Sequence, residues 1–215
     1  MCKYLDSLYV KYNIDNLSYG KQSDALGDLY EEYVEYIFSN EYIVENFNAG
    51  TPPSNTAETL FYEVCAQHNI EHIDSIATLS VPKRESGGEP KTDFCVQVND
   101  EILKFSVKQS HAAAITVAEF DVNTISEEVG ITDERLVSLM RKFQKDGSGK
   151  NFQTHEKEDL TKRLQPYKKN FVRWAISGTA TNNSDDLRMA NHTIMFMVDK
   201  NNKRLNDFST YTISE

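Results

Sequence analysis

The chain has 215 residues, of which 39% are hydrophobic and 26% charged, so one sizeable hydrophobic core is possible without a disulfide or a metal. Its three cysteines are scattered and odd in number, which argues against a disulfide framework and against a four-cysteine zinc site. No apolar run reaches the roughly 18 residues of a membrane-spanning helix, and the first residues lack the pattern of a signal peptide. We therefore predict a cytoplasmic protein with no membrane partner and a single domain over residues 1–215.

The net charge of −10 argues against nucleic acid as a partner, because phosphate binding draws its affinity from Lys and Arg. The distribution of charge changes this conclusion, since residues 135–173 contain eleven basic and four acidic side chains, a net charge of +7. Two interpretations of this basic stretch remain open. It forms either ordinary solvated helix faces or a surface that binds a polyanion such as DNA.

The N-terminal part of the chain shows helical periodicity. Apolar residues recur at steps of three and four over residues 23–38, which predicts a helix with Ser23 or Asp24 as its N-cap. A second helix is predicted from Thr56 to about Asn69, followed by a strand over residues 76–81 and a turn-rich segment that ends at Pro90.

Residues 92–109 read as two alternating strands around Asn99-Asp100, a dipeptide suited to a tight turn. With these two residues as the turn, Phe94 faces Phe105 and one side of the hairpin is entirely apolar. That side is predicted to face the core, and its members are Phe94, Val96, Val98, Leu103, Phe105 and Val107. A slip of one residue would split this set between two faces, whereas a slip of two residues stays possible.

The opposite face of the hairpin carries Asp93 across from Ser106, with Lys108 further along the same strand. A carboxylate and an ammonium held together on a rigid hairpin suit metal-assisted hydrolysis. Asp93 would bind a hard cation such as Mg²⁺, the main-chain oxygen of Val107 would supply another ligand, and Lys108 would orient the attacking water. The alternative is a surface ion pair worth less than about 1 kcal/mol.

The second half of the chain alternates predicted helices and strands. The predicted elements are a loop over residues 110–114, helices over residues 117–127 and from Thr132 to the glycine-containing segment 146–150, a helical region over residues 155–174 interrupted at Pro166, and strands over residues 192–198 and 208–213. This order predicts an α/β domain with a mixed central β-sheet flanked by helices.

Residues 90–93 and 106–108 resemble the Pro-Asp…(Asp/Glu)-x-Lys pattern of the PD-(D/E)xK nuclease superfamily. Longer stretches resemble MspI-like type II restriction endonucleases, in matching order along nearly the whole chain: residues 23–31, 87–93, 117–125, 129–133, 164–167 and 171–174. The resemblance implies a restriction-endonuclease-like α/β fold and a type II site-specific deoxyribonuclease. It also implies Mg²⁺-dependent cleavage of double-stranded DNA at a short palindromic site of the CCGG kind, and a cognate DNA methyltransferase as genetic partner.

This sequence departs from the family pattern in three places. The middle position of the motif, acidic in the superfamily and Asn in the family, is Ser106, so metal binding would depend on Asp93, the Val107 carbonyl and Glu31 of the first predicted helix. The segment after Lys108 lacks the lysines of the family. The chain also stops before a basic C-terminal segment of the family, so we expect either that this element is rearranged or that the sequence is a fragment whose domain lacks it.

The residues predicted to contact DNA are Gln109, Ser110, His111, Thr116, Lys142 and Lys150. The protein would act as a monomer or as a homodimer. Two other functions stay open: a DNA-binding protein of the same fold with impaired catalysis, and a DNA-repair nuclease that recognises structure instead of sequence.

Two further motifs resemble ligand-binding sites, but we interpret both as ordinary structural features. Cys65, His68 and His72 have a spacing that could align metal ligands on a helix, but the helix is predicted to end near Asn69, which favours a buried cysteine and exposed histidines. Residues 147–150 resemble a phosphate-binding loop only superficially, because they follow a predicted helix, and we interpret them as a helix end.

Overall fold

The computed structural model describes residues 3–83, 90–111, 121–146, 149–178 and 186–213. The chain forms two compact units, one comprising Met1–Thr116 with Asp185–Glu215 and the other Val117–Ser184. A single domain over the whole chain therefore stays a prediction. Within the described ranges, no helix has both the length and the hydropathy needed to cross a membrane.

The first unit contains four helices and five strands in its described residues. They are α1 (Lys3–Lys11), α2 (Tyr19–Ser39), α3 (Glu41–Asn48), α4 (Thr56–Gln67), β1 (Ile76–Leu79), β2 (Phe94–Val98), β3 (Glu101–Ser110), β4 (His192–Val198) and β5 (Leu205–Thr212). The strands form one sheet in the order β1-β2-β3-β4-β5, in which β3 and β4 are parallel and the other neighbours antiparallel. The predicted mixed sheet flanked by helices is confirmed.

The hairpin of β2 and β3 has the predicted register, with Phe94 paired to Phe105 and Val98 to Glu101, which removes the possibility of a two-residue slip. Its turn residue Asn99 has φ of 54°, a left-handed conformation that asparagine tolerates. The Asn99 side chain accepts hydrogen bonds from the main-chain N–H groups of Asp74 and Ser75, which ties the turn to the segment before β1.

The apolar side of the hairpin faces the core, as its pattern predicts, and it packs against α2. All seven predicted stripe residues of this helix are fully buried: Leu26, Leu29, Tyr30, Tyr33, Val34, Ile37 and Phe38. The ring of Tyr30 stacks on Phe196 of β4, and the ring of Phe38 contacts Phe105 of β3. Each such side chain contributes about 1.5–3 kcal/mol by its burial, so these contacts hold α2 against the sheet.

The other side of the sheet is also covered, which the alternating pattern did not indicate. Cys95, Lys104, Ser106 and Thr193 on this side are all buried. Near the sheet centre, this second side is therefore shielded from solvent as well. Ser106 and Thr193 lie in the parallel pairing of β3 with β4, a strand arrangement that is usually buried on both faces.

The second unit contains α5 (Val122–Val129), α6 (Glu134–Asp146), α7 (Thr154–Leu164) and α8 (Lys168–Ser177). The predicted interruption at Pro166 is confirmed, since a 3-10 turn over Gln165–Tyr167 separates α7 from α8. Trp174 is buried in the apolar cluster of this unit. Part of the helix predicted over residues 117–127 lies outside the described residues, as do residues 147 and 148.

Candidate active site

Asp93 lies immediately before β2, where it contacts β3 through both its main chain and its side chain. Its N–H donates to the Phe105 carbonyl at 2.8 Å, and its Oδ2 accepts a hydrogen bond from the Val107 N–H at 2.7 Å. The carboxylate thus takes the place of a main-chain acceptor at the end of the ladder. This bond holds one oxygen of Asp93 in a defined position on the hairpin.

Lys108 is brought to the same point. Its Nζ donates to Asp93 Oδ2 at 3.0 Å and to the Val107 carbonyl oxygen at 2.8 Å. The side chains of Lys108 and Asp93 are 26% and 17% exposed, so the pair is largely shielded from solvent but accessible to a ligand. The two side chains singled out on the hairpin are therefore in direct contact.

Glu31 of α2 shares the electrostatic environment of this pair. Burial raises the pKa of Glu31 to about 7, the negative charge of Asp93 adds to the rise, and Lys108 opposes it. Burial also raises the pKa of Asp93, against the opposing effects of Lys108, the Val107 N–H and Lys91. Two partly buried carboxylates with raised pKa values form a site that an additional cation would stabilise.

Two neighbouring cavities open beside Asp93, with volumes of about 610 and 570 Å³. Both are lined by Glu31, Glu35, Asp93 and Phe94. The first extends along α2 past Asp28, and the second extends along β1 and past Pro90. The Asp93 carboxylate is thus accessible from a groove in the first unit.

The donor set around Asp93 fits a magnesium ion of the loosely held kind. Asp93 and Glu31 offer carboxylate oxygens and Val107 a carbonyl oxygen, the ligands that Mg²⁺ prefers, and Mg²⁺ is usually bound by one or two carboxylates while keeping several waters. In the part of the chain that the structure describes, no group of three or more His, Cys, Asp or Glu side chains is arranged as a metal cage. The arrangement at Asp93 requires only two carboxylates and a carbonyl.

Ser106 occupies the middle position of the motif and is 0% exposed. Its hydroxyl makes no hydrogen bond to any described residue, and neither does the hydroxyl of Thr193, its register partner on β4. The sequence interpretation missed Thr193. Its one signal in the sequence is that it is the only hydroxyl side chain in the otherwise largely apolar run 192–198.

Of the residues predicted to contact bases, Gln109 and Ser110 lie in β3 and His111 directly follows it. The strand continues to Ser110, so the predicted loop at residues 110–114 begins only at His111 within the described residues. Gln109 Nε2 donates to Ser23 Oγ at 3.2 Å, Ser110 is buried, and His111 Nδ1 lies 3.2 Å from the Val198 carbonyl oxygen. Thr116 lies outside the described residues.

Several members of the basic stretch are already paired inside the second unit. Lys142 Nζ contacts both carboxylate oxygens of Glu156, at 2.7 and 2.8 Å, and Arg163 contacts Asp133 and Asp159. Lys150 is exposed. The exposed lysines that make no ion pair with a described residue include Lys162, Lys168 and Lys169, which flank the turn between α7 and α8.

The histidines set aside as metal ligands form a different arrangement. His68 Nδ1 lies 2.6 Å from Glu101 Oε1, and His68 Nε2 lies 3.0 Å from Nδ1 of the buried His192. The expectation of an exposed His68 is wrong, because its side chain is only 9% exposed. His72 is exposed, as expected, and Cys65 is buried.

A mixed sheet with a hairpin that joins an aspartate to a lysine, beside a groove, defines the class of restriction-endonuclease-like nucleases. Residues 11–213 match the family model described as "Restriction endonuclease MspI". The "Type II restriction enzyme MspI" of Moraxella sp is 30% identical to this chain, over 98% of this chain and 87% of that protein. A crystal structure of restriction endonuclease MspI in complex with its cognate DNA matches with a TM-score of 0.78 and 29% identity, over 99% of this chain and 84% of that chain.

The chain therefore belongs to the MspI family of type II restriction endonucleases, which are site-specific deoxyribonucleases.

Proposed function

We propose that this protein hydrolyses phosphodiester bonds in double-stranded DNA, with Mg²⁺ as cofactor, at a short palindromic site of the CCGG kind. The observation that carries the proposal is the contact of Lys108 with Asp93 Oδ2 and with the Val107 carbonyl oxygen. A similar solved structure is that of MspI with its cognate DNA, which supports double-stranded DNA as the substrate.

The proposed roles follow from the positions of the side chains. Asp93, the Val107 carbonyl and Glu31 would hold the ion, and Ser106 stands at the variable ligand position. A bound Mg²⁺ supplies Lewis-acid polarisation of a phosphoryl oxygen. Lys108 then orients the attacking water and offers positive charge to the phosphate as its negative charge grows. The water releases a proton as its oxygen forms a bond to phosphorus, one ester P–O bond breaks, and the alkoxide leaving group takes up a proton.

DNA contacts are proposed for Gln109, Ser110, His111, Thr116, Lys142 and Lys150. Gln109, Ser110 and His111 are supported by their place at the end of β3, directly after Lys108. Lys142 and Lys150 belong to the basic stretch that offsets the acidic remainder of the chain. Family membership further supports a cognate DNA methyltransferase as genetic partner, action as a monomer or homodimer, one restriction-endonuclease-like domain and a cytoplasmic location.

A supercoiled plasmid incubated with the purified protein tests this function. With Mg²⁺ we expect discrete fragments whose sequenced ends share one short palindrome, and with EDTA we expect intact plasmid. Replacing Lys108 with Ala should abolish cutting while the circular dichroism spectrum stays unchanged. Retained cutting by K108A would remove the proposed mechanism.

The same assay separates two other functions. The unpartnered hydroxyl at Ser106, where the family has a better metal ligand, favours a DNA-binding protein with impaired catalysis as the second candidate. Binding of the plasmid without cutting, at any Mg²⁺ concentration, would identify that protein. Cutting with no shared end sequence would instead identify a nuclease that recognises DNA structure.

A further inference from the structure

Two buried hydroxyl groups lie on neighbouring strands next to Asp93. Ser106 of β3 and Thr193 of β4 are register partners in the parallel part of the sheet, so their side chains are on the same face. Ser106 is 0% exposed and Thr193 is 6% exposed. Neither hydroxyl makes a hydrogen bond to any residue that the structure describes.

Asp93 flanks Ser106 from the other side. Its main-chain N–H donates to Phe105 and its carboxylate accepts from the N–H of Val107, the two residues on either side of Ser106. Asp93, Ser106 and Thr193 therefore form a row across three adjacent strands, with the carboxylate at one end and two hydroxyls beside it.

Unpartnered hydroxyls at this depth are unusual. A buried polar group without a hydrogen bond typically destabilises a protein, and native structures leave few of them. Departures from this rule concentrate at functional sites, where the polar group serves a ligand and not the fold. Two of them in register, beside the carboxylate of the candidate active site, indicate a shared ligand.

We propose that Thr193 is a positioning residue of the active site, which together with Ser106 hydrogen-bonds the water ligands of the divalent cation held at Asp93. The inference rests on the proposed function and deepens it. Each hydroxyl offers one donor and two acceptor positions, and a magnesium ion bound by few protein oxygens keeps waters that need such partners. The hydroxyl pair thus replaces the single carboxylate or amide usual at the middle motif position.

Other side chains on this face do not offer the same contact. Met195 and Met197, the next residues of β4 on the side of Thr193, are apolar. Lys104, one step back from Ser106, donates to the Asp186 carbonyl oxygen at 3.2 Å. Lys108, one step forward, is bonded to Asp93 and Val107. Thr193 is therefore the hydroxyl on β4 that is placed to act with Ser106.

The test uses Mn²⁺ as the probe, because it takes the same oxygen ligands as Mg²⁺ and its binding can be titrated by electron paramagnetic resonance without DNA or turnover. T193V removes the hydroxyl and keeps the volume, while T193S keeps the hydroxyl and removes the methyl group. Mutation of a residue that hydrogen-bonds to a metal ligand typically lowers metal affinity by about 10–100-fold. We therefore expect T193V to weaken Mn²⁺ binding about tenfold and T193S to change it by less than about twofold.

The same variants are compared in cleavage at increasing Mg²⁺ concentration. T193V should need more Mg²⁺ for half-maximal rate and recover most of the rate at saturation, as a positioning role predicts. Wild-type Mn²⁺ affinity in T193V, or an equal loss in T193S and T193V, would overturn the inference. The variant D93N distinguishes a failure of this inference from a failure of the proposed function. If D93N also binds Mn²⁺ like the wild type, the cation is not held at Asp93, and both the role of Thr193 and the proposed function fail.

Discussion

The ammonium of Lys108 lies 3.0 Å from Asp93 Oδ2, and it also donates to the Val107 carbonyl oxygen at 2.8 Å. These are two of the oxygens to which the proposed function assigns the divalent cation. An ammonium and a cation cannot both sit against the same two oxygens without strong repulsion. Cation binding therefore requires Lys108 to move away from Asp93, towards the groove where the substrate phosphate would lie.

Replacing Lys108 with Met should tighten Mn²⁺ binding while abolishing cleavage. The variant removes a positive charge that competes for Asp93 Oδ2, and we expect a gain of about tenfold in affinity after allowance for solvent screening. Titration by electron paramagnetic resonance measures it. K21M, a change of the same charge at an exposed position of α2, is the control and should leave the affinity unchanged. Equal or weaker binding by K108M would show that the ammonium does not compete with the ion.

Removing the side-chain hydroxyl should have opposite effects on the free energy of unfolding at two threonines of adjacent strands, Thr193 and Thr210, when both are measured in EDTA. T193V deletes an unpartnered buried hydroxyl and should raise the free energy of unfolding by about 0.5–1 kcal/mol. T210V deletes a hydroxyl that accepts from Gln67 Nε2 at 2.7 Å, and should lower it by about 1 kcal/mol. Urea unfolding of both variants measures these changes in the free energy of unfolding. Destabilisation by T193V equal to that of T210V would mean that the Thr193 hydroxyl supports the fold.

His192 makes stability depend on pH in the weakly acidic range. Burial, followed by the neighbouring His68, lowers the pKa of His192 from 6.5 to about 3, while Glu101 lies on the other side of His68. Between these two values the unfolded chain binds a proton at this position and the folded chain does not. The contribution of the neutral His192 to the free energy of unfolding is therefore fully present above pH 6.5 and is lost as the pH falls towards 3.

From pH 7 to pH 5 this single group should lower the free energy of unfolding by about 2 kcal/mol. Chemical unfolding of wild type and H192Q at both pH values measures the contribution, and H192Q should lose that much less on acidification. H72Q replaces an exposed histidine and should behave like the wild type. A wild-type pH dependence in H192Q would show that His192 does not carry the effect.

The ion pairs of the second unit predict which lysines contribute to DNA binding. Lys142 is a proposed DNA contact but is paired with Glu156, so K142A should reduce the slope of log Kd against log salt by less than about 1. Lys168 and Lys169 are exposed and make no ion pair with a described residue, so K168A/K169A should reduce the slope of log Kd against log salt by about 1–2. Fluorescence anisotropy in EDTA, between low and moderate salt, measures both slopes. A larger change for K142A would show that its pair with Glu156 opens on DNA.

Much of the first unit could be predicted because the sequence patterns that determine it lie within single helices or within one hairpin. The alternation in the hairpin placed Phe94 opposite Phe105, and the stripe of α2 identified its buried face. The helices α1 and α3 were missed, since they are only nine and eight residues long and a helical period is hard to recognise over so few positions. The start of α2 at Tyr19 was also missed, because the recognisable stripe begins further along the chain.

The candidate site was only partly predictable for a related reason. Asp93 and Lys108 lie on one hairpin, so their juxtaposition follows from its register. Thr193 joins them only through the parallel pairing of β3 with β4, two strands that are far apart in the chain. No periodicity within either strand reveals which residues of the other strand lie beside it. The buried state of Ser106 and the partner of His68 were hidden for the same reason.

The rate of plasmid cleavage by D93N, under single-turnover conditions with saturating Mg²⁺, shows whether the Asp93 carboxylate is needed for catalysis. E35Q is the matched control, because Glu35 lines the same two cavities but has no assigned role. We expect D93N to cleave at least about a thousandfold more slowly than the wild type, and E35Q to stay within a few-fold of it. Cleavage by D93N at close to the wild-type rate would show that Asp93 does not hold a catalytic cation.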